Sequence, residues 1–292
     1  MTVPSLSPVV TRFLAMLDEQ PAIFVRVAAT QGSVPREAGT WMAVFADTVV
    51  GTIGGGHLEF QAIAQARTAM AASGDGGNFS ETESAPMQMR FALGPSLGQC
   101  CGGVMRLDFT PVDGADVPAL ARALCLNMTP VALFGGGHVG HALAQVLAPL
   151  PFALTWIDSR DGVFPHDLPS HVICEHSDPV QLAVPGLTPH SRVLIMSFSH
   201  AEDLEIVAGC LMRQRQQADL PYVGLIGSQT KWAAFGRRLQ ARGFTPAELS
   251  HITCPIGIAG INGKEPEVIA VGVAAQLLQT LVNQPVSPIS PC

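Results

Sequence analysis

The sequence has few positive charges and almost no lysine. Of its 292 residues, 16 are lysine or arginine, against 23 acidic residues, which gives a formal net charge of -7. The only lysines are Lys231 and Lys264. Domains that bind nucleic acids carry clustered basic residues and a high isoelectric point. The composition therefore argues against a nucleic-acid partner, and an anionic ligand has to be held locally, by individual arginines and helix N-termini.

The first residues of the sequence do not have the pattern expected of a secretory leader, and its apolar stretches are interrupted. Residues 1–8 are polar and contain proline, without the basic start and apolar core of a signal peptide. No Asp, Glu, Lys or Arg occurs between Arg122 and Asp158, but prolines, glycines and histidines interrupt this stretch. It is therefore expected to form strands and a helix rather than a membrane span. Seven cysteines in such a chain are expected to be reduced, which predicts a cytoplasmic protein with no membrane partner.

The length and the 48% hydrophobic content favour two domains. The first part of the chain predicts a helix, short β-branched strands, a hairpin and a second helix. The second part predicts short strands alternating with helices, which is typical of a parallel, doubly wound sheet. We therefore predict an α/β protein with an N-terminal α+β domain over 1–112, a linker helix over 113–127, a Rossmann-like domain over 128–284 and a flexible tail over 285–292.

A glycine-rich fingerprint, Gly135-x-Gly137-x-x-Gly140, lies between a predicted strand and a predicted helix. Its glycines permit a tight turn and the close approach of a phosphate. Asp158 follows at the end of the next predicted strand, about 20 residues on, where it could accept ribose hydroxyls. Arg160 could instead meet a phosphate. The fingerprint predicts a Rossmann-like fold but leaves open whether a nucleotide such as NAD(P) binds or the loop is architecture alone.

Two adjacent cysteines, Cys100 and Cys101, stand in the glycine-rich turn Gly-Gln-Cys-Cys-Gly-Gly. Thiolates are soft ligands, and flanking glycines leave room for a metal, a bulky cofactor or another sulfur. Buried thiols are often inert packing groups, but a glycine-flanked turn is expected at the surface, where free thiols are prone to oxidation. The pair therefore predicts sulfur or metal handling. The sequence has no Cys-x-x-Cys motif and no second cysteine pair at zinc spacing.

Two further segments are candidate anion cradles. Arg36 follows a turn rich in Gly, Ser and Pro, while Gly54, Gly55 and Gly56 open a predicted helix. Backbone N–H groups at a helix start suit a phosphate, and an arginine can donate two hydrogen bonds to one. A tight hairpin and a helix entry without any ligand would use the same residues, so both interpretations stay open.

Seven short motifs spread over nearly the whole chain resemble those of a known family. In chain order they are residues 30–36, 51–59, 98–103, 134–140, 157–160, 224–228 with Lys231, and 254–257 continuing through 265–270. Together they resemble the xanthine dehydrogenase accessory protein family, XdhC/CoxI. The double-cysteine turn is closer to the xanthine dehydrogenase branch than to the carbon monoxide dehydrogenase branch.

The resemblance implies a molybdenum cofactor chaperone rather than an enzyme. Such a protein binds the molybdopterin cofactor, protects it while a cysteine desulfurase supplies its terminal sulfur, and delivers it to apo xanthine dehydrogenase. The family is usually homodimeric. On this basis Cys100 or Cys101 would contact molybdenum or relay sulfur, and Arg36, Arg106 and the glycine-rich turns would hold the terminal phosphate.

Two alternatives come from other classes of protein. An NAD(P)-dependent oxidoreductase would use the fingerprint and Asp158, but the chain has a single tyrosine, Tyr222, and no Tyr-x-x-x-Lys pair. A thiol redox sensor would need Cys100 and Cys101 to respond reversibly to peroxide, and a disulfide between adjacent cysteines closes a strained ring. The chaperone is the preferred prediction, and the oxidoreductase is the second.

Overall fold

The computed structural model describes residues 3–72, 87–93, 102–169 and 171–281. The chain folds into two compact units, which divide at Leu124 and Cys125, and the short segment 3–7 belongs with the second unit. Each unit has its own sheet and its own apolar core. The predicted tail over 285–292 lies outside the described residues.

Helices and strands account for most of the described chain. In chain order they are β1 (Val3–Ser5), α1 (Pro8–Leu17), β2 (Ala22–Gln31), β3 (Trp41–Val44), β4 (Val49–Gly51), α2 (Gly56–Ala72), β5 (Met87–Ala92), β6 (Val104–Val112), α3 (Val117–Ala123), β7 (Leu126–Phe134), α4 (His138–Leu147), β8 (Phe152–Asp158), β9 (Ile173–His176), β10 (Arg192–Ile195), α5 (His200–Gln217), β11 (Tyr222–Leu225), α6 (Gln229–Ala241), α7 (Pro246–Leu249), β12 (Ile252–Thr253) and α8 (Pro266–Gln279). Two 3-10 helices span Gly114–Asp116 and Val180–Gly186. None of the helices in these described ranges is long and apolar enough to cross a bilayer.

The first unit is an antiparallel sheet with a helix on each face. Its strand order is β4-β3-β2-β6-β5. Side chains of a strand alternate between the two faces. On one face Val25 packs in a core with the buried Ala62 and Ala66 of α2, whose small side chains let the helix lie close to the sheet. On the other face Phe24 stacks on Phe13 of α1, with 5.7 Å between ring centroids.

The second unit has a parallel sheet in the order of a dinucleotide-binding fold. The strands run β12-β11-β10-β7-β8-β9, which is 6-5-4-1-2-3 when counted from β7. The short β1 adds an antiparallel pairing at the start of β7, at residues 126–128, before β8 and β10 pair with the rest of that strand. The predicted fold class, an antiparallel α+β part followed by a Rossmann-like part, is confirmed.

Helices cover both faces of the parallel sheet. Val131 and Leu133 of β7 pack in one core with α4 and α8, whereas Ala132 and Phe134 pack in the other with α5 and α6. The helices that follow the neighbouring strands β7 and β10 therefore lie on opposite faces. A crevice opens at the carboxyl ends of strands where the order reverses in this way, and it is the usual ligand position in such sheets.

Candidate functional site

The fingerprint loop forms the turn from β7 into α4. Gly135 adopts φ 122°, and its carbonyl oxygen accepts a hydrogen bond from the indole nitrogen of Trp156 at 2.9 Å. A side chain at Gly135 would overlap the backbone of Met196, and one at Gly140 would overlap the Gly135 carbonyl. Two of the three fingerprint glycines are therefore explained by close packing alone.

The third fingerprint glycine, Gly137, faces open space. It is the N-cap of α4, and a Cβ placed on it would meet no described atom within 4 Å. The helices α5 and α6, in contrast, begin with Ser199 and Ser228, whose hydroxyl groups cap the first turn. The first turn of α4 thus has no side-chain cap, and whether a ligand binds there stays a prediction of the fingerprint.

The structure places Asp158 at the end of β8, buried, with 2% of its surface exposed. Its carboxylate accepts hydrogen bonds from the N–H of Gly136 at 2.5 Å and the N–H of Arg160 at 2.8 Å. The Arg160 guanidinium adds two more, Nε to Oδ1 and Nη2 to Oδ2, each at 2.9 Å. The carboxylate that the sequence assigns to ribose binding is thus engaged by its own chain.

These contacts keep Asp158 ionised. Burial alone would raise the pKa of Asp158, but the hydrogen bonds from Arg160 and Gly136 outweigh burial and lower it. The pKa of Arg160 is raised by its hydrogen bond to the same carboxylate. The pair is therefore a bidentate, charge-assisted interaction at neutral pH.

Phe198 completes this end of the crevice, and the sequence analysis did not single it out. It follows β10 and is 67% exposed, and the Arg160 guanidinium lies 4.5 Å from its ring centroid. Glu202 joins the two loops, because it accepts from the Ser159 hydroxyl at 2.7 Å and from the Phe198 N–H at 3.1 Å. The sequence signal that could have identified Phe198 is a large aromatic residue just after a predicted strand.

A buried ion pair explains the motif around Lys231. Lys231 Nζ lies 2.6 Å from Asp203 Oδ2 and donates to the Ile226 carbonyl at 2.8 Å. Asp203 also accepts from the N–H and hydroxyl of Ser197, at 2.8 and 2.7 Å. Cys254, nearby, donates its S–H to the Gly227 carbonyl at 3.7 Å. Burial raises the pKa of Cys254, which favours the neutral thiol.

In the first unit, the glycine run at the start of α2 holds a carboxylate from its own helix. Glu59 accepts hydrogen bonds from the N–H groups of Ile53 and Gly55, at 2.9 and 3.1 Å, and from the Thr52 hydroxyl at 2.5 Å. The N–H groups of this loop therefore bind an anion, but the anion is a glutamate of the same chain. In this structure the hydrogen bonds of Glu59 fix the loop at the start of α2.

Three predicted segments meet at one end of the first unit. A Cβ on Gly54 would lie 2.9 Å from Pro35 and 3.2 Å from Arg36, so the glycine run packs against the turn that carries Arg36. The same turn packs against Gly103, where a side chain would overlap the Ser33 carbonyl. Cys100 and Cys101 lie outside the described residues.

An arginine pair lies on the strands that lead to the cysteine turn. Arg90 of β5 is directly opposite Arg106 of β6, and both side chains are exposed. Like charges at directly opposed positions of a sheet are unfavourable unless an anion neutralises them. Arg106 was a predicted phosphate donor, whereas Arg90 was missed because strand register is invisible before the structure is known.

Within the described ranges, no three His, Cys, Asp or Glu side chains converge on a metal position.

Together these features define an α+β unit with glycine-rich loops, joined to a Rossmann-type domain. A family model described as the XdhC Rossmann domain matches residues 131–277, and a model of the XdhC and CoxI family matches residues 15–78. The chain belongs to the XdhC family, as the motifs predicted.

Two relatives bear on this assignment. The uncharacterised protein YqeB of Escherichia coli (strain K12) is 26% identical over 277 residues, which cover 93% of this chain and 46% of YqeB. The chain thus spans about half the length of this curated relative. A crystal structure of a Bacillus halodurans protein described as a xanthine dehydrogenase covers 97% of this chain and 98% of its own, with a TM-score of 0.74 and 20% identity. At that identity the likeness shows the fold.

Proposed function

We propose that this chain is a non-enzymatic accessory protein that holds the molybdenum cofactor for xanthine dehydrogenase. In this proposal it binds the molybdopterin cofactor while a cysteine desulfurase supplies the terminal sulfur, and then delivers it to the apo-enzyme. It acts as a homodimer in the cytoplasm. The cofactor is cargo, and the chain supplies soft sulfur ligands, phosphate donors and shielding.

The observation that supports the proposal most strongly is the meeting of three motifs at one end of the first unit. The turn with Arg36 packs against both the glycine run 54–56 and Gly103, which follows the two cysteines closely in the sequence. Gly55 and Gly102 face open space, with no described atom within 4 Å of a Cβ built there. Space at such glycines leaves room for a bulky cargo.

The charge on the neighbouring strands also fits the cargo. The cofactor ends in a phosphate, and the opposed Arg90 and Arg106 bring two guanidinium groups to one face of the sheet. Arginine binds phosphate bidentately and stays charged at every physiological pH. An acidic chain can thus hold an anion through a local pair.

The oxidoreductase alternative gains no support from the Rossmann unit. Ribose binding would require the Arg160 guanidinium to leave both Asp158 and the Phe198 ring, and a diol could replace only the hydrogen bonds to Asp158. Tyr222, the single tyrosine of the chain, is also unsuited to act as an acid or base in hydride transfer, because it is buried and hydrogen-bonds to Gln276 at 2.7 Å.

The test is cofactor retention by purified protein. The double variant Cys100→Ala with Cys101→Ala should lose bound molybdenum, measured by mass spectrometry of the metal, and should fail to activate apo xanthine dehydrogenase. Cys174→Ala is the matched control, because Cys174 is an exposed cysteine of the other unit, and it should retain both. A double variant that keeps molybdenum and activates the apo-enzyme as well as the parent would rule out the thiol role.

A further inference from the structure

We propose that the crevice at the carboxyl ends of β7, β8 and β10 binds a flat heterocycle with two adjacent N–H donors, and that Arg160 fills this place in the free protein. The ligand class is the 2-amino-4-oxopyrimidine ring system, shared by pterins and guanine. If the ligand is a pterin, the inference rests on the proposed function and adds to it. If the ligand is a guanine nucleotide, the inference is independent of the proposed function.

The first step is the hydrogen-bond pattern at Asp158. The Arg160 guanidinium offers two parallel N–H groups, one to each carboxylate oxygen, both at 2.9 Å. The 2-amino-4-oxopyrimidine edge offers the same pair, a ring N–H beside an exocyclic amino group. The carboxylate that pairs with one can therefore pair with the other in the same geometry.

The second step is the aromatic surface on which the guanidinium lies. The Phe198 ring is 67% exposed, and Arg160 covers it at 4.5 Å from the centroid. Flat heterocycles stack on exposed aromatic rings in the same way as a guanidinium plane does. Arg160 thus satisfies both contacts that a bound ring would make: a paired edge on Asp158 and a stacked face on Phe198.

The third step is that only one side chain has to move. Asp158 stays fixed by the N–H groups of Gly136 and Arg160, and Glu202 holds the loop with Phe198. The Arg160 side chain is one-third exposed, so rotation about its own bonds frees the place. The remaining site is prebuilt, which keeps the conformational cost of binding low.

The geometry also predicts what the site rejects. Adenine presents an amino group beside a ring acceptor, so its acceptor would face a carboxylate oxygen. A ribose diol can donate to the carboxylate but has no flat face to lie on Phe198, so it would replace only one of the two contacts of Arg160. The site is therefore expected to discriminate against AMP and NAD by about 5- to 150-fold, the range for one bidentate pair.

The ligand test titrates the full-length protein with 6-hydroxymethylpterin, followed by its fluorescence, and with GMP, followed by calorimetry. Lumazine, which has a carbonyl in place of the 2-amino group, and AMP are the matched comparators. Binding of the pterin alone identifies the pterin source, and binding of GMP alone identifies guanine nucleotides. The proposal is overturned if neither ring binds, or if lumazine and AMP bind equally well.

Variants test the role of each side chain. Phe198→Leu should weaken ring binding about 5- to 150-fold, the range for one stacked base. Phe60→Leu, which changes an exposed phenylalanine of the other unit, should not weaken it. Arg160→Ala should strengthen binding, about tenfold if Arg160 occupies the place in nine-tenths of molecules. Arg242→Ala, which removes an exposed arginine, is its control. Weaker binding by Arg160→Ala would show that Arg160 contacts the ligand instead of standing in for it.

Failure of this inference can be separated from failure of the chaperone function. The double variant at Cys100 and Cys101 should lose molybdenum but bind the free ring with parental affinity. If Phe198→Leu loses ring binding but retains molybdenum, the ring is located on Phe198, and the proposed role of Cys100 and Cys101 is neither supported nor weakened. A parent that retains molybdenum but binds no free ring would overturn the inference and leave the chaperone function in place.

Discussion

Removing the Asp203 carboxylate should destabilise the Rossmann unit more than any surface change. Asp203 and Lys231 are joined at 2.6 Å, with 3% and 12% of their side chains exposed. Asp203→Ala leaves the Lys231 charge without its partner and removes the acceptor for the N–H and hydroxyl of Ser197. Breaking a buried pair from one side typically costs about 3–5 kcal/mol, so we expect a loss in that range.

A double-mutant cycle makes this expectation quantitative. Lys231→Met removes the positive charge while Asp203 keeps both bonds from Ser197, so we expect a smaller loss of about 1–3 kcal/mol. The double variant should be more stable than the sum of the two single losses predicts, by at least about 1 kcal/mol. The free energy of unfolding is measured in urea by far-UV circular dichroism and tryptophan fluorescence.

The matched control is the exposed pair of Glu205 and Arg242, with 41% and 40% of their side chains exposed. Glu205→Ala should cost at most about 1 kcal/mol, as exposed ion pairs do. The reasoning about Asp203 is refuted if Asp203→Ala costs no more than this control. It is equally refuted if the effects of the two single substitutions at the buried pair simply add.

Three further predictions follow from the structure. Replacing both Arg90 and Arg106 by alanine should leave thermal stability unchanged or higher, because like charges are removed, but should lower retention of the phosphate-bearing cofactor about tenfold or more. The pKa of Glu248 is lowered from 4.5 to about 2, chiefly by Arg215, so the stabilisation it gives is present above pH 4.5 and lost as the pH falls toward 2. Glu248→Gln should accordingly lose stability less steeply over that interval in pH-dependent urea unfolding. Burial raises the pKa of Cys210 to about 12, so mass-spectrometric mapping of alkylation at pH 8 should find Cys210 modified only after unfolding, and Cys174 modified in the native protein.

The elements with clear periodicity are those that the sequence predicts well. The helix α1 has apolar residues at helical spacing, and the hairpin β3 and β4 and the strand-helix alternation after β7 lie where the pattern puts them. These elements bury one face or lie in the centre of a sheet, so burial imposes a pattern on the sequence. Boundaries differ by a few residues: the sequence pattern predicts a strand over 104–109, and β6 continues to Val112.

The elements missed by the sequence analysis are those without such a pattern. The helix α8 is apolar nearly all round, with Val271 exposed and Val273 buried, so no polar stripe marks its outer face. The strands β1 and β12 have three and two residues, too few to show alternation. Their positions depend on pairing with β7 and β11, which is tertiary information.

The candidate sites show why the glycine motifs located the loops correctly but did not identify what occupies them. In both units a carboxylate of the same chain binds the loop's N–H groups, Glu59 at Ile53 and Gly55, and Asp158 at Gly136. A glycine loop concentrates N–H dipoles whatever the anion, so its sequence is the same for a phosphate site and for an internal lock. The two loops differ in what covers the carboxylate. Glu59 is bound by the start of its own helix, whereas Asp158 is covered by an arginine side chain that is one-third exposed. In our proposal it is the exchange of this arginine, and not the glycine pattern, that makes the loop at Asp158 a ligand site.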